Sequence, residues 1–215
     1  MHHSGTIPMS LTIALINGKG GVGKTTVALL LALALKQVRR EVVLIDKDPQ
    51  KSATTFAEAM GLQVVEAPSP DDSLIIIDTP PNIHHPDTRE TIRRADLVVL
   101  ITTPSPTDLA ATAATASIIE QDRPGNTVVL FNRVQASNRF AGTLPAIAAR
   151  LPFPVLQHIL YQRTAYQVAQ LEGWHVLPAT ARAELAQVAL ELLTTFPDLL
   201  HSETLPGWHN AIIAR

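Results

Sequence analysis

This sequence predicts an α/β fold: a doubly wound, mostly parallel sheet flanked by helices. Three observations carry that reading. Apolar runs of strand length recur along the chain, helical patterns fall between them, and the runs are continuous rather than alternating. Continuous apolar runs suit strands buried on both faces, as in a parallel sheet covered by its own crossover helices. Regular alternation of the two element types implies βαβ units with right-handed crossovers.

The strand-like runs are "LTIALIN" (11–17), "EVVLID" (41–46), "LIIIDTP" (74–80), "LVVLITTP" (97–104), "TVVLFNRV" (127–134) and "FPVLQHIL" (153–160). Helical patterns occupy 25–38, 50–60, 88–95, 107–121, 139–150, 164–172 and 182–196. Asp71-Asp72 and Thr107-Asp108 offer capping oxygens, and Pro80-Pro81, Pro104 and Pro106 end strands by removing backbone donors. The alanine-rich "LAATAATASIIE" has the spacing of a helix packed closely on a sheet. A single domain over 11–196 is expected, with 1–10 an N-terminal extension outside the fold and 197–215 a tail.

The 215 residues are long enough to bury a sizeable core, and 46% are hydrophobic. No run approaches the roughly 18–20 apolar residues of a membrane-spanning helix. The absence of cysteine excludes disulfides and thiolate-held metal clusters and fits a reducing cytoplasm. Charge is unevenly placed. From Arg123 to Arg182 there are six arginines and one acid, Glu172, a net of +5, although the whole chain carries −2. A near-neutral total can therefore hide a positive face.

"GKGGVGKT" (18–25) follows a strand-like run and precedes a helical one, the context in which G-x-x-x-x-G-K-T forms a phosphate-binding loop. The backbone N–H groups of Gly20, Gly21, Val22 and Gly23, continuing to Thr25 and Thr26, are expected to close on phosphate oxygens at a helix N-terminus. Lys24 is expected on the β- and γ-phosphates and the Thr25 hydroxyl on Mg²⁺. Asp46, Asp48 and Asp78 lie at or just beyond the ends of strand-like runs. The carboxyl edge of an open α/β sheet is where ligands bind, so all three can converge on the loop. Four apolar residues followed by Asp78 form a Walker B pattern, which assigns Asp78 to the magnesium shell. The adjacent His84 and His85 in "PPNIHHPD" read as exposed loop residues.

"KGGVGKTT" with its early lysine, "LIDKDPQ" and "IIIDTPP" together resemble the deviant-Walker-A ATPases of the ParA/MinD type. "DKDPQKSATTFAEA", "ITTPSPTDLAATAATASIIE" and "ILYQRTAYQVAQLEG" extend the likeness to the small ParA proteins over roughly 11–196. With the loop starting at residue 18, the separate N-terminal DNA-reading domain of larger ParA proteins is not expected.

The resemblance implies a weak Mg²⁺-dependent ATPase that forms an ATP-bound homodimer. Lys19 would act in trans on the partner's nucleotide, Asp48 would orient the attacking water, and Asp46 would be a magnesium-side acid. It places Asn132, Arg133 and Pro178 around the adenine. It also implies non-specific DNA binding by the dimer, for which Arg163 and Arg182 lead, followed by Arg139 and Arg150. A ParB-type or cargo adaptor would stimulate hydrolysis. The cargo would be a plasmid or a protein body, since carboxysome-positioning ATPases look similar, and the location cytoplasmic on the nucleoid. The alternative, a MinD-like membrane-associated ATPase, asks for a basic amphipathic end. The tail offers Trp208, Ile212 and Ile213 with Arg215 as its one nearby cation, so membrane binding is not expected.

Overall fold

The computed structural model describes residues 11–37, 41–69, 74–122, 126–136 and 142–195. Strand β1 (Leu11–Ile16) lies inside the sheet. It pairs in parallel with β4 (Leu74–Asp78) on one side and β5 (Leu97–Thr102) on the other. Beyond β4 come β2 (Val42–Asp46) and the two-residue β3 (Gln63–Val64), and beyond β5 comes β6 (Thr127–Phe131). The order is β3-β2-β4-β1-β5-β6 and every described pairing is parallel. The doubly wound sheet expected from the apolar runs is what forms.

Alternate residues of each strand feed two apolar layers, which is why the runs are continuously apolar rather than alternating. Ile13, Leu15, Leu44, Ile76, Val99 and Leu130 face one layer, and Ala14, Ile45, Ile77, Leu100 and Val129 the other. The first layer is closed by α1 (Lys24–Gln37), α6 (Thr164–Glu172) and α7 (Ala179–Thr195). The second is closed by α3 (Pro86–Arg94) and α4 (Pro106–Asp122). Helix α1 is apolar on all sides because it is buried on all sides, each residue from Val27 to Leu35 included. Two short helices, α2 (Ser52–Ala57) and α5 (Leu144–Ala148), and a 3-10 turn (Trp174–Val176) complete the chain.

Three expectations are corrected. "FPVLQHIL" does not form a strand. It runs beside β6 with bridges only at Val155 and Tyr161. Between them the Gln157 and His158 N–H groups turn away to the Glu191 carboxylate on α7, at 2.6 and 2.9 Å. Strand β3 was not anticipated, because two residues, one of them Gln63, leave no apolar run. Helix α4 is capped by Ser105, whose hydroxyl accepts from Asp108 N–H at 3.3 Å, rather than by Thr107 or Asp108. Helix α5 spans the end of the predicted 139–150 segment. Arg139, the Asp71-Asp72 pair and the tail with Trp208, Ile212, Ile213 and Arg215 lie outside the described residues.

Candidate nucleotide site

The strand ends place the site. β1 runs out into Asn17 and the glycine loop, β2 ends at Asp46 and β4 at Asp78, with Asp46 and Asp78 in register. Gly21 and Gly23 hold φ of +84° and +94°, which side chains rarely adopt. A Cβ on Gly23 would also run into the Asn132 amide. The loop opens directly into α1, whose Val27 N–H bonds the Gly23 carbonyl at 2.9 Å.

Lys24 is 6% exposed, and its ammonium makes one long contact, 3.5 Å to the Lys19 carbonyl. Burial lowers its pKa, opposed by the charges of Asp78 and Asp48. Such an ammonium suits an incoming anion. Asp78 is fully buried. One oxygen accepts from the Thr25 hydroxyl at 2.6 Å and the other has no partner. Burial first of all pushes its carboxyl up to about 6, against the Thr25 bond and the Lys24 charge. An unsatisfied buried carboxylate oxygen beside a hydroxyl fits a divalent cation. Thr25 and Asp78 are therefore the residues that would hold one.

Asp46, expected beside them on the metal, is engaged otherwise. One oxygen accepts from the Asp48 N–H at 3.1 Å and the other from Thr54 N–H and hydroxyl at 2.8 and 2.9 Å, so Asp46 shapes the turn into α2. Asp48 lies on that turn, one oxygen accepting from Gln50 N–H at 2.9 Å. Among the described residues no cluster of three or more His, Asp or Glu is arranged to hold a metal. His84 is exposed, and half-buried His85 caps α3, accepting from Asp87 N–H at 3.3 Å.

The residues assigned to the base brace the loop. The Asn132 amide, 4% exposed, donates to the Val22 carbonyl at 2.9 Å, and the Arg133 guanidinium to Gly21 at 2.6 Å. Both also line a groove of ≈ 500 Å³, together with Thr26, Phe56, Tyr161, Gln167 and Gln170. Its aromatic and amide side chains suit a stacked, hydrogen-bonding base. Pro178 does not line this groove. It is exposed at the start of α7, its carbonyl accepting from Ala181 and Arg182 N–H. Phe56, Tyr161 and Gln170 escaped the sequence reading, because no spacing marks residues from three separate segments as one wall.

Lys19 leaves the loop on the other side. Its ammonium forms an ion pair with Asp108 and lies 3.3 Å from the Thr107 hydroxyl, with 37% of the side chain exposed. Of the arginines expected to meet DNA, Arg150 is exposed after α5 and Arg182 is half-buried in the first turn of α7. Arg163 donates from Nε and Nη2 to Glu184 at 2.9 and 2.8 Å, and is 31% exposed.

Comparison with known proteins agrees with this geometry. The CobQ/CobB/MinD/ParA nucleotide binding domain matches residues 13–175. Maintenance of carboxysome distribution protein A of Gloeobacter kilaueensis is 33% identical over 203 residues, covering 84% of this chain and 93% of that protein. The fold is shared with the MinD cell division protein of Aquifex aeolicus, at TM-score 0.70 and 17% identity over 92% of this chain and 99% of that one. It is shared too with a putative plasmid partition protein from Borrelia burgdorferi bound to AMPPNP, at TM-score 0.66 and 14% identity over 88% and 99%. With a glycine loop, a buried lysine and an aspartate-terminated strand at one sheet edge, and the domain match over more than half its length, the chain belongs to the CobQ/CobB/MinD/ParA nucleotide binding domain family.

Proposed function

We propose that this protein is an ATP-driven positioning switch, which binds ATP with Mg²⁺, dimerises around the two nucleotides, hydrolyses ATP slowly and binds DNA without sequence preference as the dimer. The observation that carries this reading is the division between the two loop lysines. Lys24 is buried behind the glycine loop, whereas Lys19 holds its partly exposed ammonium on Asp108 of α4. A charge that does not serve its own site is available to a neighbour's. In a water-excluding interface, a lysine on a partner's phosphates gains far more than it would in water.

The chain's own groups divide the work. Loop amides and Lys24 hold the phosphates, Thr25 and Asp78 hold the cation, and Asp48 orients water for attack. Bound Mg²⁺ would neutralise charge on the phosphate oxygens. The groove beyond Thr26 takes the base. Arg150, Arg163 and Arg182, doubled by dimerisation, form the phosphate-contacting face for DNA, with Arg139 on the same arginine-rich segment. An adaptor stimulates hydrolysis, and the protein works in the cytoplasm on the nucleoid. The 33% identity to a carboxysome distribution protein favours a protein body over a plasmid as cargo.

The test is sizing and DNA retention with ATP and Mg²⁺ against ADP. A dimer that retains DNA only with ATP, with retention lost at moderate salt when Arg150, Arg163 and Arg182 become alanine, supports the reading. Equal retention with ADP, or by the triple variant, refutes the DNA-binding part. A chain that stays monomeric with ATP refutes the switch.

A further inference from the structure

The carboxylate that meets Lys19 is built into a small polar frame. Asp108 is 15% exposed in its side chain, and its second oxygen accepts from the Thr103 hydroxyl at 2.5 Å. Burial alone would raise its pKa, but hydrogen bonds from Lys19 and Thr103 outweigh it and hold the carboxyl below its ordinary range. Helix capping does not require it, since the Ser105 hydroxyl supplies the cap of α4, accepting from Asp108 N–H at 3.3 Å. The same helix grips the rest of the loop entrance. Thr112 Oγ1 accepts from the Asn17 amide at 3.1 Å, and Thr115 Oγ1 accepts from Gly18 N–H at 3.2 Å. Asn17 Oδ1 in turn accepts from Lys19 N–H at 2.8 Å. Backbone and side chain of Lys19 are thus both set from α4.

We propose that Asp108 is a positioning residue that keeps Lys19 within its own subunit until a second subunit's nucleotide competes for the ammonium. This rests on the reading that Lys19 acts across a dimer. A single carboxylate offers two oxygens and one charge. A triphosphate presents several oxygens and more charge, and an interface that removes water strengthens that competitor. Asp108 then sets the threshold for association and not the chemistry. Two such pairs open for each dimer, so a loss felt in each chain enters the association constant twice.

Asp108→Asn removes the charge and retains an acceptor for Thr103. With saturating ATP and Mg²⁺, sedimentation velocity should give a dimer dissociation constant about tenfold lower than wild type, about threefold per chain. Asp108→Glu should return it toward wild type. A second arm needs no dimer: competitive acetylation of the ADP-bound chain, read by mass spectrometry, should show Lys19 labelling about threefold faster relative to Lys47 in Asp108→Asn. Weaker or unchanged dimerisation of Asp108→Asn overturns the threshold role, and unchanged labelling overturns the pair itself. A wild-type chain that never dimerises removes the trans reading and the threshold with it, while the labelling still decides whether Asp108 holds Lys19.

Discussion

Asp78→Asn should stabilise the metal-free, nucleotide-free protein near neutral pH and abolish its response to Mg²⁺ and ATP. The carboxyl is fully buried, and its pKa is pushed from 3.8 to about 6. An acid whose folded value exceeds its unfolded value binds its proton more tightly when folded. The resulting stability is fully present below 3.8 and is lost as pH rises through about 6. A rise of about two units corresponds to about 3 kcal/mol lost by pH 7.5. Asparagine carries no charge and keeps an oxygen for the Thr25 hydroxyl. Its amide N–H₂ falls where the second carboxylate oxygen has no partner, at a cost of about 1 kcal/mol. Urea unfolding in EDTA should therefore show the variant about 1–2 kcal/mol more stable than wild type at pH 7.5, and about 0.5 kcal/mol less stable near pH 4. Mg²⁺ with ATP should stabilise wild type and not the variant. A variant less stable than wild type at pH 7.5 would refute the charge-burial reasoning. An equal gain from Mg²⁺ and ATP would remove Asp78 from the metal site.

Gly23→Ala should leave the sheet folded and weaken nucleotide binding on the order of 100-fold, measured by titration calorimetry, because its φ of +94° and the Asn132 amide both oppose a side chain. Affinity within threefold of wild type would show that the loop relaxes at little cost. Glu184→Ala should destabilise the fold by about 2–4 kcal/mol in chemical denaturation, since this buried carboxylate accepts from Tyr161 N–H at 2.6 Å, the Tyr166 hydroxyl at 2.7 Å and the Arg163 guanidinium. A loss under 0.5 kcal/mol would mean that water replaces those bonds.

The strands were legible because both faces of the sheet are covered, which leaves runs such as "LIIID" without polar interruptions. The same signal misled at "FPVLQHIL". Its apolar residues Phe153, Leu156 and Leu160 are buried as a strand's would be, but the Glu191 carboxylate on α7 takes its Gln157 and His158 N–H groups. The place of the glycine loop between β1 and α1 was legible because glycine and lysine at that spacing have few other uses beside a strand end. The bonds that Asp46, Asn132 and Arg133 make were not legible. An aspartate that shapes a turn and one that faces a cation look alike in sequence, and nothing local shows that side chains lining the groove also brace the loop carbonyls. The Lys19–Asp108 pair spans 89 positions, and nothing local announces it.

The switch we propose depends on Lys19 acting on the nucleotide of a second subunit. Asp48→Ala, which should block hydrolysis and hold the ATP state, and the double variant Lys19→Ala/Asp48→Ala should be compared by sedimentation velocity with ATP and Mg²⁺, with ATP occupancy measured in parallel. Both variants should bind ATP, and only Asp48→Ala should sediment as a dimer. A double variant that binds ATP and dimerises like the single one would contradict that role of Lys19.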